Sequence, residues 1–442
     1  MPIRRPTTRA DGLRRSSRGA HWFVDEGLLD LGFGFCAAVA MLFSPTFAKA
    51  GPALMSLILA AYAALRAQDW IVGLRRSWLI LALPAAALAS AFWSLDRVAT
   101  LYYGTQYLIT VLLAIAIGTA RRPQKLFLGL FGGFALYSAV NLVLGRSVGW
   151  EGRAGAAFGG LAGVKNYMGA TSALGALSST VFLLRWVRAG RWLAAFVALV
   201  ALAMQLVSIK IALAAGAGLG YVEGAAVVAV LVFARYFIPL QARYAFAAAA
   251  ASVGAVALCF HQQLTDLATR FAVTVLHKDM TLTGRTYLWA RGEQLIQARP
   301  GLGAGFAAFW RQGNLDAEGL WRSEDIASRS GFNFHSTPIG WMVELGVLGL
   351  CVLAVVLAVC GGRLIIRTLR EPDDVSVFWT AILVYQIASM GYEAIGLGPF
   401  NYDTILLVAA LAYGGGAGPL RVRAQARSAD PRTAQVMEGA SV

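Results

Sequence analysis

The chain has 442 residues, of which 58% are hydrophobic and only 14% are charged, and its mean hydropathy is +0.62. A soluble protein of this length needs far more polar residues to cover its surface, so the composition excludes a soluble globular protein and indicates several membrane spans. The formal net charge of +15 is by itself compatible with either nucleic acid or anionic lipid as a partner.

The chain begins with an arginine-rich arm, which we interpret as an uncleaved cytoplasmic segment because no clear cleavage site follows the first apolar stretch. An apolar stretch of about 20 residues is long enough to cross a bilayer as a helix. The sequence predicts twelve such spans, at 27–43, 51–65, 77–93, 98–118, 125–144, 165–184, 192–208, 211–234, 243–260, 337–359, 375–395 and 403–418. The expected fold class is therefore an all-α polytopic membrane protein with about 12 transmembrane helices.

Between the ninth and tenth spans lies one long hydrophilic loop, residues 261–336, which is too short for an independent catalytic domain with a large core of its own. We expect it to act together with the spans beneath it. The predicted organisation is a basic cytoplasmic arm, nine spans, a large periplasmic loop with helices, three spans and a polar cytoplasmic tail. The corresponding residues are 1–26, 27–260, 261–336, 337–418 and 419–442.

The distribution of basic residues sets the expected orientation. An even number of spans puts both termini on one side, and the termini and loops assigned to that side together contain 24 of the 38 lysine and arginine residues. Cytoplasmic loops of membrane proteins carry this excess. The sequence therefore predicts cytoplasmic termini and an outward-facing long loop. Most of the positive charge then reflects topology, and nucleic acid is excluded as a partner.

The long loop contains a predicted helix over 283–299. Arg285 and Trp289 are four residues apart and so share one face of that helix, which Pro300 and Gly301 end. The GLGAG segment that follows lacks the spacing and the preceding strand of a dinucleotide-binding fingerprint. It instead predicts a tight turn near the membrane surface.

His335 lies just before the tenth span, where Thr337 and Pro338 have the pattern of an N-cap and first helical residue. The positive end of a helix disfavours a charged imidazole. A neutral histidine at a water-accessible membrane mouth is suited to act as a general base. The alternative is an interfacial histidine that only caps or hydrogen-bonds.

Four basic residues are predicted on the outer side, against the general excess of basic residues on the cytoplasmic side: Arg153, Lys165, Lys210 and Arg285. Arginine binds phosphate oxygens in a bidentate manner, so a diphosphate site is one interpretation of this set. The other is that each side chain extends to lipid headgroups.

Acidic residues within spans are costly and often functional. Glu223 lies near the middle of the eighth span, where it could pair with a buried base or line a water cavity. Glu344 lies about two turns into the tenth span and could orient His335 if that helix end is distorted. Glu393 and Asp403 flank the last outer loop.

Five segments of the chain carry a resemblance to a known family: WSLDRVATLYYG at 93–104, GRAGAAFGGLAGVKNYMG at 152–169, LTGRTYLW at 282–289, ARPGLGAGFAAFW at 298–310 and FHSTPIGWMVELGVLG at 334–349. In this order they resemble the O-antigen ligase and Wzy-type polysaccharide polymerase superfamily. The combination is specific, although each segment alone is weak, and the VKN before the sixth span looks most like exopolysaccharide polymerases. The chain departs from the family at Ser336, where asparagine is common, and at Ser208-Ile-Lys210, where a Ser-x-Ser-Lys-like stretch is common.

The resemblance implies a GT-C-like membrane fold and an inverting, metal-independent glycosyltransferase without a cofactor. The implied donor is a glycan on undecaprenyl diphosphate at the periplasmic face of the bacterial inner membrane. His335 would accept the proton of the acceptor hydroxyl, and Arg285 would bind the departing diphosphate. The resemblance also assigns substrate or diphosphate binding to Arg153, Lys165, Asn166, Lys210, Trp289 and Glu344. Inner-membrane lipids, a flippase and a chain-length regulator are the implied partners.

Four functions remain compatible with the sequence. The first is a polymerase that extends an exopolysaccharide or O-antigen by repeat units, and the second is a ligase that passes the finished glycan to lipid A–core or to protein. A secondary transporter or flippase usually shows repeated halves with paired broken helices, which this sequence lacks. A scaffold without chemistry would tolerate Arg285→Lys and His335→Gln.

Overall fold

The computed structural model describes residues 26–149, 155–259, 285–329 and 331–415, with only the backbone described for 253–259. The first eleven helices precede the long loop: α1 Glu26–Leu42, α2 Ser44–Phe47, α3 Ala50–Leu65, α4 Ala67–Arg76, α5 Ala82–Ala89 with 3₁₀ turns on both sides, α6 Arg97–Gly118, α7 Pro123–Leu144, α8 Lys165–Arg188, α9 Trp192–Ile211, α10 Ala215–Phe237 and α11 Leu240–Cys259. A short antiparallel hairpin of β1 (Arg146–Gly149) and β2 (Ala156–Gly160) joins α7 to α8.

Two helices lie in the described part of the long loop, α12 (Arg285–Ala298) and α13 (Leu315–Ser323). Four more follow it: α14 Thr337–Val356, α15 Gly362–Arg370 after one π-helical turn, α16 Asp374–Ser389 and α17 Tyr402–Gly415. All residues of α17 from Tyr402 to Gly414 are buried. This helix is therefore the centre of the bundle, where it packs against α6, α15 and α16.

The structure confirms a helical, multi-pass membrane architecture. In the described part of the chain, six helices are long and apolar enough to cross a bilayer. A seventh span results if α3 and α4, which meet at a bend of 106°, count as one. Helices also occupy the other predicted positions, but several are shorter than a full span, so the number of twelve stays a prediction.

The tenth predicted span is broken. Gly346 inside α14 has φ +65° and ψ −166°, which ends the regular helix after Leu345. In a membrane the backbone groups freed by such a break need partners. They pair with the segment at 300–305, the loop that follows α12: the NH groups of Ala304 and Gly305 donate to Val343 and Glu344, and those of Val347 and Leu348 donate to Pro300 and Gly301.

The pairing accounts for the glycines of the GLGAG segment. Gly303 and Gly305 both have positive φ, and a Cβ on Gly303 would lie 2.6 Å from the Glu344 carbonyl carbon and oxygen. The predicted tight turn of the GLGAG segment is therefore confirmed. The turn is hydrogen-bonded to the backbone of α14 at the break, and this pairing holds the 300–305 segment against the bundle.

Three helix boundaries differ from the predicted positions. Ser336, with extended φ and ψ, is the N-cap of α14, so Thr337 is the first helical residue. The span predicted at 375–395 ends at Ser389 because the following residues, GYEAIGLGPF, are rich in helix-breaking glycine and proline. The span predicted at 211–234 begins only at Ala215.

We expect Gly346→Ala to destabilise the protein. A Cβ there would lie 2.3 Å from the Gly301 carbonyl oxygen, and the backbone is in a region that L residues rarely adopt. The strain alone costs about 1–3 kcal/mol. A lower midpoint of thermal unfolding in detergent, and less protein in membranes, would show it.

Gly362→Ala is the matched control, because a Cβ added to that helical glycine would meet no atom within 4 Å. Equal loss of stability in both variants would contradict the importance of the break.

Candidate active site

A single carboxylate joins the two residues that the sequence put forward for chemistry. Arg285 Nη2 lies 3.3 Å from Glu393 Oε1, and His335 Nδ1 lies 3.3 Å from Glu393 Oε2. Arg285 also donates through Nη1 to the Tyr392 carbonyl at 2.8 Å. We call Arg285, Glu393 and His335 the ionic triad. It brings together α12, the residue before the α14 N-cap and the loop between α16 and α17.

The backbone of His335 is strained, with φ +47°. Its NH donates to the Asn333 side chain at 2.7 Å, and its ring lies edge-on to Phe332. Trp289 donates from its indole nitrogen to the Phe334 carbonyl at 2.9 Å. Non-glycine residues in this conformation persist where the surroundings fix them, and they concentrate at functional sites. The predicted shared face of Arg285 and Trp289 therefore serves to position both the triad and the segment that carries the histidine.

Thr337 fixes the loop that supplies Glu393. The backbone NH of Thr337 donates to the Met390 carbonyl at 2.9 Å. Its hydroxyl donates to the Glu393 carbonyl and accepts from the Ile395 NH, both at 2.8 Å. The start of α14 and the acidic loop are thus one hydrogen-bonded unit, which holds Glu393 beside His335.

The carboxyl groups around the histidine titrate abnormally. Burial raises the pKa of Glu393, but the hydrogen bond and charge of His335, together with the charge of Arg285, outweigh it and hold the pKa below its usual range. Glu324, just after α13, is close enough to His335 for the charge of the histidine to act on it. Partial burial raises the pKa of that carboxyl, while the histidine opposes the shift.

A cavity of about 590 Å³ opens beside the triad. Its walls include Asn333 and Phe334, which precede the histidine, and Ala394, which follows Glu393. Four aromatic rings line it, those of Tyr103, Trp310, Phe332 and Phe334. The polar lining comes from Asp96, Arg311, Gln312, Arg329, Asn333, Glu344 and Asn401. A volume of this size and mixed lining suit a small polar ligand with flat apolar faces.

Arg311 is built into the wall of the cavity. Its guanidinium lies 3.3 Å from Asp96 and 5.5 Å from the centre of the Tyr103 ring. Asp96 also caps α6 by accepting from the Ala99 NH. The outer loop is therefore tied to the start of α6 at the wall of the cavity.

The structure places the other predicted residues differently. Glu344 does not orient His335, because its Oε2 accepts from the Ala307 NH at 2.7 Å while it lines the cavity. Lys165 and Asn166 open α8, and Lys210 lies in the last turn of α9. Neither Asn166 nor Lys210 bonds to the ionic triad within the described residues, so their part in binding stays a prediction. Arg153 lies outside the described residues.

Sequence reasoning missed the role of Glu393. Glu393 was noted only as an acid beside the last outer loop, since the predicted helix to residue 395 gave no reason to connect it with His335, 58 positions earlier. The available signal was a carboxylate at membrane depth, which needs a charged partner. No group of three His, Cys, Asp or Glu side chains suited to a metal ion occurs among the described residues, and metal independence stays a prediction.

Two comparisons with known proteins bear on this site. Residues 211–354 match the family model described as O-Antigen ligase, a range that contains Arg285, His335 and the break in α14 but not Glu393. The chain is also 29% identical over 337 residues to the exopolysaccharide production protein ExoQ of Rhizobium meliloti (strain 1021), and the match covers 74% of each protein.

The lowered pKa of Glu393 predicts how its contribution to stability depends on pH. A carboxyl whose pKa is lower when folded stabilises the protein above its unfolded pKa of about 4.3, and this stabilisation is lost as the pH falls through the folded value. Wild type should therefore have a higher melting temperature than Glu393→Gln at neutral pH. The difference should shrink once the pH falls below the unfolded pKa of the carboxyl group. Melting temperatures of both proteins, measured in detergent from neutral to acid pH, would test this. A difference that does not change with pH would contradict the pairing.

Proposed function

We propose that this chain, which matches the O-antigen ligase family model over residues 211–354 and is 29% identical to the exopolysaccharide production protein ExoQ over 337 residues, is a glycosyltransferase of the O-antigen ligase and Wzy type. It polymerises lipid diphosphate-linked oligosaccharide repeat units. The donor is a glycan on undecaprenyl diphosphate, and the product is an exopolysaccharide or O-antigen. The reaction takes place at the periplasmic face of the inner membrane, with both termini in the cytoplasm. The observation that carries the proposal is the ionic triad beside an aromatic-lined cavity.

His335 is the general base of the proposed reaction. Its Nδ1 faces Glu393, which leaves Nε2 to take the proton of the acceptor hydroxyl. The hydroxyl oxygen then bonds to the anomeric carbon of the donor, and the bond from that carbon to the diphosphate breaks. The electron pair of the broken bond leaves with the diphosphate. Attack from the face opposite the leaving group inverts the anomeric centre.

Arg285 neutralises the leaving group. A guanidinium binds diphosphate oxygens in a bidentate manner, and stabilising the charge that develops there is usually the largest part of such catalysis. The side chain is only 20% exposed, so water screens it less than a surface charge. A lipid diphosphate is already a good leaving group, so we propose that the cation and the base suffice without a metal ion.

The cavity is where we place the acceptor sugar. Sugars present flat apolar faces and a rim of hydroxyl groups, which match the aromatic rings and the polar side chains of the lining. The cavity adjoins His335 through Asn333 and Phe334. An acceptor seated there would bring a hydroxyl towards the histidine.

The main alternative is a ligase that passes the finished glycan to lipid A–core or to protein. The description of the matched family model favours it, whereas the name of the curated relative favours exopolysaccharide production. Both reactions use the same donor and the same triad, and they differ only in the acceptor. A partner flippase and a chain-length regulator would fit the polymerase.

Replacing either residue of the chemistry should abolish polymer. We expect His335→Ala to lower turnover by about 100-fold or more, as for loss of a general base, and Arg285→Gln to do the same through loss of charge stabilisation, at about 100- to 1,000-fold. The measurement is polymer and lipid-linked intermediates in cells, with the amount of protein in membranes checked.

Accumulation of single lipid-linked repeats supports the polymerase, and accumulation of long lipid-linked polymer supports the ligase. Arg322→Gln removes an exposed charge from the last turn of α13 and should leave polymer unchanged. Normal polymer in His335→Ala would refute the proposed base.

Tyr103→Ala tests the acceptor cavity. Loss of one aromatic contact worth about 0.5–1.5 kcal/mol should raise the KM for the acceptor about 2- to 10-fold, with donor binding unchanged. Tyr102→Ala is the matched control, because this neighbour on α6 is 60% exposed and does not line the cavity. Equal effects of both substitutions on acceptor KM would place the sugar elsewhere.

A further inference from the structure

The carboxylate of Glu393 is shared between Arg285 and His335, and both contacts are longer than a strong ionic hydrogen bond. Both contacts measure 3.3 Å, whereas strong charge-assisted hydrogen bonds are typically about 2.7–2.9 Å. One oxygen serves the cation and the other serves the imidazole. A small shift of the carboxylate therefore strengthens one contact only by weakening the other.

Arg285 has a second anchor that does not depend on Glu393. Its Nη1 donates to the Tyr392 carbonyl at 2.8 Å, so the guanidinium stays in place when its other nitrogen changes partner. A diphosphate carries more negative charge than a carboxylate and offers several oxygens in bidentate geometry. Arriving beside Arg285, it competes directly with Glu393 for Nη2.

We propose that Glu393 is a positioning residue that couples donor binding to activation of the base. The inference rests on the proposed function. In the empty site Glu393 divides its charge between Arg285 and His335. When the lipid diphosphate takes over the contact with Arg285, the carboxylate turns fully to the imidazole. It then orients the ring and stabilises the imidazolium that forms as the acceptor loses its proton.

The coupling imposes an order on the reaction. The histidine reaches its full basicity only when a leaving group is in place, so an acceptor hydroxyl is not activated in an enzyme without donor. The other ionisable groups near His335 do not provide this link. Glu324, at the end of α13, interacts electrostatically with the histidine, but in the described part of the chain it forms no ion pair with Arg285. Arg329 is paired with Glu318. The Tyr392 side chain is hydrogen-bonded to Ser389.

The test separates donor binding from turnover in the purified full-length protein. The binding probe is geranylgeranyl diphosphate, a lipid diphosphate without sugar, and turnover uses a lipid-linked saccharide donor. Glu393→Gln removes the charge but keeps the size and leaves the backbone bonds to Thr337 intact. We expect turnover to fall about tenfold or more, as for other groups that orient a functional histidine, while the probe binds as tightly as to wild type or more tightly, since its competitor is gone.

A purely structural role of Glu393 gives a different pattern, in which probe affinity and turnover fall together. That pattern, or unchanged turnover in Glu393→Gln, would overturn the proposal. Glu324→Gln is the matched control for loss of a carboxylate whose charge interacts with His335, and both of its measurements should stay near wild type. A loss in Glu324→Gln as large as in Glu393→Gln would also count against a special role of the shared carboxylate.

Glu393→Asp is the second variant, and it decides the matter should Glu393→Gln fail to accumulate. It keeps the charge, but its shorter side chain reaches fewer partners, so turnover should lie below that of wild type with undiminished probe binding. Normal turnover in this variant refutes the coupling.

Wild-type turnover is measured first, because absence of any sugar transfer defeats the proposed function itself. Wild-type transfer with parallel losses in the Glu393 variants defeats only the coupling.

Discussion

The arrangement of the site depends on how one broken helix satisfies its backbone. At Gly346 the regular hydrogen bonding of α14 is interrupted, and four backbone bonds to 300–305 replace what is lost. Unpaired peptide groups are not tolerated inside a bilayer, so the segment is held there by necessity. Because 300–305 directly follows α12, the helix that begins with Arg285 is fixed relative to the helix that begins after His335. The backbone pairing at the break in α14 thus fixes the relative positions of Arg285 and His335.

Electrostatics at the site follow from this placement. Arg285 and His335 approach the same point from different elements, and a carboxylate from a third element lies between them. All three side chains are between 20% and 33% exposed, so they are reachable by a ligand but less screened than surface charges. The loop that supplies Glu393 is fixed through its backbone to Thr337 rather than through its charge. The carboxylate is therefore positioned before any ionic contact forms and is free to redistribute between its two partners.

The sequence identifies the residues that could carry the chemistry, but it does not predict which of them contact each other. Apolar periodicity and length indicate the helices, and helical spacing puts Arg285 and Trp289 on one face, as observed. The position of His335 before a helix N-terminus is also read from local pattern alone. The break at Gly346 is not, because a glycine in an apolar span is common and only the distant 300–305 segment makes its positive φ necessary. Glu393 was missed for the same reason, since its partners lie 108 and 58 positions away.

The order of the paired segments along the chain has a consequence for biogenesis. Residues 300–305 are synthesised before α14, so in the topology we propose they have already been translocated when the broken helix emerges from the insertion machinery. The helix then meets its hydrogen-bonding partner on arrival and does not wait in the lipid with open peptide groups. A chain with the two segments in the opposite order would expose that break for the whole time needed to export the loop. The linear arrangement of the motifs therefore suits vectorial assembly as well as the final structure.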